Sequence, residues 1–319
     1  MQRRHFFIGT CAALMIASSG LFPVQAQGKY PEKPVEFIVP WAPGGGSDAI
    51  MRIVAKQLED ELGQPFPVIN VPGASGTLGL QQVAKAKPDG YTISQIHDGL
   101  LTSFHTDLTK LNWDSFTPVG LITSSPQFIV ISANSPWKTL EEFVAHAKKN
   151  PGKIKFGVTL AGVPHLHAAM VGDATGTEFG YVGYEGTGER IRGLLGGTVE
   201  AAIGDVASAG QFVKNGDLRF LAVGSEERLP EYPDVPTLKE LGYDIDLSIN
   251  RGLVVPKGTP QERIDVLEEA LSKVAKDQDA IQQIKNAGGD VVFRSQEDYV
   301  KSLQRLDETV KRLSSKLAS

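Results

Sequence analysis

Short apolar runs alternate with stretches of helical periodicity nearly throughout the chain, the pattern left by strand–helix–strand units that build parallel sheets. The runs predict strands over 35–40, 68–71, 91–96, 119–122, 128–132, 155–159, 178–182, 201–204, 219–223, 252–256 and 290–293. Between them, Ile50, Ile53, Val54, Leu58 and Leu62 fall on one face of a helix over 48–62. Thr139 caps a helix over 140–149. Thr259-Pro260 reads as an N-cap with proline at the first helical position, and Ile264, Leu267, Leu271 and Val274 mark the buried side that follows. The last segment, 296–317, is helical and charged and packs on one face.

The chain is 319 residues long, beyond the usual ~100–200 of one domain, so two lobes are expected. Crossings are placed at Ser124-Ser125-Pro126 and at 247–251. Lobe one then combines 27–125 with 251–319, and lobe two is 126–250. The fold class is α/β: two βα-built lobes joined by two hinge crossings, with a cleft between them.

The start of the chain changes the picture. Arg3, Arg4 and His5 precede an apolar stretch over 6–22 and the A-x-A-like end Pro23-Val24-Gln25-Ala26, the layout of a secretory signal peptide cleaved after Ala26. The Arg-Arg pair also fits twin-arginine export, so the route stays open. Its removal takes the formal charge from −5 to −7, a poor basis for holding nucleic acid through its phosphates. Cys11, the only cysteine, lies in this leader, and without it disulfides, thiol catalysis and cysteine-held metals fall away together. A soluble periplasmic protein is expected, a monomer without cofactor or metal.

Of the 34 glycines, nine lie in four turns, each between a strand and a helix. The clearest is VPWAPGGGSD (39–48). Gly44, Gly45 and Gly46 let backbone N–H groups approach a ligand closely, and Ser47 or Asp48 caps the next helix. Free amides and the helix dipole make such a turn an anion seat. The same design recurs in VPGASGTLG (71–79), TLAGVPH (159–165) and YEGTGERI (184–191), at the C-terminal ends of strands, where open α/β sheets bind ligands. Two turns belong to each lobe. A helix terminus contributes about 0.3–1 kcal/mol to an anion and a charged hydrogen bond about 1.5–3. Several of these reach the roughly −8.2 kcal/mol of a micromolar carboxylate complex without an arginine. No turn carries the GxGxxG or GK[ST] pattern of a nucleotide loop.

These motifs, with KPDGYT (87–92), LLGGTVEAAIGD (194–205), RLPEYPDVPTLKELGY (228–243) and GLVVPKGTP (252–260), resemble the Bug family over nearly the whole mature chain. These are the TctC-like periplasmic solute-binding proteins of tripartite tricarboxylate transporters. The resemblance implies a hinge-closing, Venus-flytrap receptor without catalytic activity, which takes a small carboxylate and delivers it to membrane transporter subunits. It implies that backbone amides and ordered waters hold one carboxylate between the lobes. Carried over by motif, lobe one supplies Trp41 as a wall, Gly44, Gly45, Gly46, Ser47 and Asp48, and the loop Ser75, Gly76, Thr77. Lobe two supplies Thr159, Ala161, Gly162 and His165, with Tyr184, Gly186 and Thr187 nearby and Asp205 pointing into the cleft. The family pattern is broken at Gln95-Ile96-His97-Asp98-Gly99, usually small residues, and at Arg251, usually a large apolar one. His97 and Asp98 are added to the site, and Arg251 is expected at the solvent-facing rim.

Other functions were weighed against this one. His165 and His167, two residues apart, do not share a helix face and are expected in capping and surface roles rather than on a metal. No serine sits in a nucleophile elbow, so a hydrolase lacks its attacking group. An exported dinucleotide-dependent oxidoreductase and a ligand-loaded partner of a membrane sensor kinase remain as alternatives.

Overall fold

A computed structural model describes residues 30–44, 46–184 and 186–317. The predicted leader with Cys11, and Gly45 of the first glycine turn, lie outside the described residues.

The first sheet takes β1 (Glu36–Val39), β2 (Val68–Asn70), β3 (Thr92–His97) and β4 (Phe116–Pro126) from the first part of the chain. The second takes β5 (Phe128–Ser132), β6 (Lys155–Val158), β7 (Gly180–Gly183), β8 (Ala201–Gly204) and β9 (Leu218–Val223). The chain then returns through β10 (Ser248–Pro256) and β11 (Asp290–Arg294) to the first sheet. Strand order is β11-β4-β10-β3-β1-β2 in one sheet and β7-β6-β8-β5-β9 in the other. The molecule is therefore α/β and two-lobed, with the chain passing between sheets at β4–β5 and again before β10.

The sheets are mixed, which corrects the expectation of parallel ones. β1 pairs in parallel with β2 and β3, and β6 with β7 and β8, as βα units dictate. β10 runs antiparallel to β3 and β4, and β5 antiparallel to β8 and β9. A strand that arrives from the other lobe enters at the cleft end of the sheet and must run against its neighbours.

Helices α1 (Gly46–Leu62), α2 (Thr77–Lys85) and α3 (Gly99–His105) follow β1, β2 and β3. In lobe two, α4 (Leu140–Lys149) precedes β6, while α5 (Val163–Thr175), α6 (Thr187–Leu195) and α7 (Val206–Lys214) follow β6, β7 and β8. α8 (Gln261–Val274), α9 (Gln278–Asn286) and α10 (Gln296–Leu317) close the chain. Thr139 caps α4 by accepting Glu142 N–H. Thr259 does not cap α8. Its hydroxyl donates to Pro256 O at 2.8 Å, and Pro260 holds the cap position one residue later than expected.

One face of the first sheet packs Phe37, Val39 and Leu253 against Ile50, Val54 and Leu271. On the other face, Leu303 and Val310 of α10 share a continuous apolar cluster with Ile129, Phe156 and Leu166 of lobe two. That core ties the lobes together on the α3–α5–α10 side. Surface ion pairs, Lys285–Glu231 at 2.8 Å and Arg312 with Asp173, also span the lobes.

Candidate ligand-binding site

In lobe one, β1 and β2 end in two adjoining turns. Gly44 has φ +80° and donates its N–H to Asp48 Oδ2 at 2.8 Å. The helix begins at Gly46, so Asp48 sits inside its first turn, only 3% exposed, and is not its cap. Its carboxylate also accepts from Asn70 Nδ2 (2.8 Å) and Arg52 Nε (3.1 Å). Burial alone would raise its pKa, but the bonds from Arg52, Gly44 and Asn70 win and hold it below the usual carboxylate value. Asp48 is fully committed to shaping the turn. It staples the loop and has no lone pair to spare for a ligand.

The neighbouring turn is more strained. Gly73, Ala74, Ser75 and Gly76 have φ of 130°, 46°, 54° and 86°, four consecutive residues in left-handed territory. Each non-glycine residue there costs roughly 1–2 kcal/mol, a cost usually retained at functional positions. Gly76 lies against Trp41, where a Cβ would stand 3.1 Å from Cζ2. The Trp41 ring stacks on His97 at 4.1 Å between centroids. His97 Nδ1 accepts Gly99 N–H at 2.9 Å, which leaves the ring proton on Nε2. Burial and the nearby Arg251 push its pKa down to about 3, so the ring is neutral. Thr77 opens α2 but is only 2% exposed.

In lobe two, Ala161 is again left-handed, at φ 55°, and Gly162 is the N-cap of α5. The Ala161 N–H donates to His165 Nδ1 at 3.2 Å. His165 is wholly buried, its ring edge on Tyr181, and burial lowers its pKa to about 4. It supports the loop from beneath, a capping role as expected, but neither it nor His167 is on the surface. Gly186 and Thr187 open α6. Tyr184 turns into the lobe-two interior instead, packed on Gly157 and Gly193, with its hydroxyl buried and unpartnered. Asp205 caps α7, accepting Ser208 N–H at 2.8 Å.

Two arginines change the chemistry of this region. Arg190, unremarked in the sequence, is 1% exposed. It donates to Ile203 O (2.8 Å) and, at 3.2 Å each, to the hydroxyls of Thr159 and Thr187. One guanidinium thus fixes both lobe-two turns. Its spacing was a usable signal, since Ile191 and Leu194 beside it on α6 are buried. Arg251 is not at the rim either, being 6% exposed. The β10 register sets it opposite His97, and its Nε donates to Ser47 Oγ at 3.1 Å. Burial lowers both arginines to about 10, opposed by Asp205 at Arg190 and by Asp98 and then Asp205 at Arg251.

β10 presents alternate residues to opposite sides. Ser248 and Asn250 face away from the glycine turns, onto a cavity of about 390 Å³ that lies against α5 and α10. Asp98 lines this cavity, with Oδ2 accepting Asn250 N–H at 3.1 Å. Burial raises its carboxyl to about 7 despite those bonds. It is a hinge group, separated from the turns with which the sequence grouped it. His167 lines the same cavity.

Comparisons with known proteins agree with this architecture. A UPF0065 protein of the gbd 5′ region of Cupriavidus necator is 37% identical over 281 residues, 86% of this chain and 85% of that protein. The crystal structure of a TctC solute-binding protein from Polaromonas shares 35% identity and a TM-score of 0.79, covering 89% of this chain and 98% of that one. MatC from Rhodopseudomonas palustris, solved with bound malate, shares 27% identity and a TM-score of 0.71 over 90% of this chain and 100% of that one. Residues 50–318 match the family model described as tripartite tricarboxylate transporter family receptor, and the chain belongs to that family, the Bug/TctC-like solute-binding proteins.

Proposed function

We propose that this chain is an exported receptor that captures a small carboxylate between its lobes by hinge closure. It then presents the carboxylate to the membrane subunits of a tripartite transporter. One observation carries the reading. Strained turns at the strand ends of each lobe, Gly73–Gly76 and Ala161–Gly162, occur with two buried guanidiniums whose hydrogen-bond partners are neutral. Such a centre suits an anion. The malate in MatC, a protein of the same fold at 27% identity, supports a carboxylate in particular. The ligand-holding set is Trp41, Gly44, Gly45, Gly46, Ser47, Ser75, Gly76, His97, Thr159, Ala161, Gly162, Gly186 and Thr187. Asp48, His165, Arg190 and Asp205 hold these in place. The leader through Ala26 directs the chain to the periplasm, where it acts as a monomeric binder without turnover.

A thermal-shift screen of the mature protein across di- and tricarboxylic acids, aromatic acids and acidic amino acids tests this. A ligand at 100 times its Kd adds about 2.7 kcal/mol, a readily measured rise in Tm. Expected is a rise for at least one acid, with that acid recovered unchanged. No rise for any acid, or consumption of the one that binds, would refute the reading.

A further inference from the structure

The guanidinium of Arg251 is buried, and its hydrogen-bond partners among the described residues are all neutral: Ser47 Oγ (3.1 Å), Ser125 Oγ (2.7 Å) and Ile249 O (3.3 Å). Acidic neighbours exist but are engaged elsewhere. Asp98 is bonded to Asn250 on the other side of β10, and Asp205 to Ser208 in its helix cap. Asp205 is also near Arg190, a second buried guanidinium whose hydrogen-bond partners are all neutral. Asp98 and Asp205 are thus the carboxylates near Arg251, and neither is hydrogen-bonded to it. A buried charge without a bonded counter-ion is costly, and among the described residues no carboxylate hydrogen-bonds either guanidinium.

Position says which anion would. Ser47 belongs to the first turn of α1, whose leading N–H groups have no earlier helical carbonyl to bond, and its hydroxyl accepts from Arg251 Nε. Arg251 thus lies one side chain away from the lobe-one amide seat, beside His97 and the Trp41 wall. An acid held by the amides at one end would bring its other end to the guanidinium.

We propose that Arg251 is a specificity-determining residue that reads a second acidic group, so that the site selects dicarboxylates over monocarboxylates. This rests on the carboxylate reading above. Arginine suits the task because its planar fork bonds a carboxylate in bidentate fashion, which lysine cannot do.

Isothermal titration calorimetry of the mature protein with straight-chain α,ω-dicarboxylates of three to six carbons, and with monocarboxylates of equal length, tests it. A charge-assisted bond of about 1.5–3 kcal/mol corresponds to roughly 10–150-fold in Kd. Wild type should favour at least one dicarboxylate over its monocarboxylate by that factor. Arg251→Met should bring the ratio to within about threefold of unity, and Arg251→Lys should fall between. Equal wild-type affinities for both series, or an unchanged ratio in Arg251→Met, overturns the proposal while leaving carboxylate binding intact. Failure of wild type to bind any member of either series removes both readings. The wild-type ratio decides the matter even if Arg251→Met does not fold.

Discussion

Replacing Asp48 by asparagine keeps its shape and exchanges one carboxylate oxygen for an NH₂ group. Every partner of this side chain is a donor: Gly44 N–H, Asn70 Nδ2 and the Arg52 guanidinium. An acceptor-only carboxylate satisfies them all, whereas an amide must set its own NH₂ against either Gly44 or Asn70. A bond to a charged group is worth about 1.5–3 kcal/mol, and the unmatched donor adds a desolvation cost of similar order. The Arg52 side chain is 50% exposed, so its ion pair adds only about 0–1 kcal/mol. The loss should be roughly 3–6 kcal/mol, or about 6–24 °C in Tm at about 2–4 °C per kcal/mol.

The pH dependence provides an independent check. The folded pKa of Asp48 lies below its unfolded value, so its contribution is complete above about pH 3.9 and fades as pH falls through the folded pKa. The Tm gap between wild type and Asp48→Ala should be flat from pH 5 to 8 and close only in stronger acid. Calorimetric scans of the wild type and both variants across pH 2.5–8 measure it. An Asp48→Asn protein melting with the wild type, or a gap that closes near neutrality, would show that Asp48 does not hold the turn.

Gly76→Ala must place a Cβ at φ +86° and 3.1 Å from Trp41, costing about 1–2 kcal/mol and displacing the wall. Carboxylate affinity should drop at least about fivefold by calorimetry, and an unchanged Kd would count against the seat. His97 and His165 stay neutral well below pH 6, so affinity for an acid ionised throughout should vary little between pH 6 and 8, and a titration step near 6.5 would contradict the assigned ring states. Asp98 has a folded value of about 7, above its unfolded one, so the stability of wild type relative to Asp98→Asn should fall as pH rises from about 4 to 7. Denaturant titrations of both proteins measure it, and parallel pH slopes would disprove the assignment.

All eleven strands were legible because each is a short apolar run, although β2, β7 and β11 are only half-buried. Their direction was not, because β10 and β5 owe theirs to the route the chain takes between lobes. The turns were legible through glycine, and the strain at Ala74, Ser75 and Ala161 was not, since nothing in an alanine announces φ near 50°. Side-chain roles failed where tertiary partners decide them. Asp48 and Tyr184 sit in the right turns but point into Asn70 and Gly193, residues 22 and 9 positions further along the chain. Arg251 was misplaced because arginine is usually exposed, although β10, as a central strand covered on both faces, leaves no solvent side for it.

The two seats share a logic that composition conceals. The chain is net negative, yet the buried arginines near its turns, Arg190 and Arg251, hydrogen-bond neutral groups among the described residues, while the buried carboxylates Asp48 and Asp98 are bonded elsewhere. Net charge therefore describes the surface, and it is the unpaired interior charge that selects the ligand. Each seat is also fixed by its own lobe, lobe one by Asp48 and Asn70, lobe two by Arg190 through Thr159 and Thr187. Loops held this way need little ordering when a ligand arrives, so the cost of binding falls mainly on bringing the lobes together. Selectivity then resides in the groups that touch both a seat and the crossing strands. Arg251, bonded to Ser47 on one side and Ser125 on the other, does both.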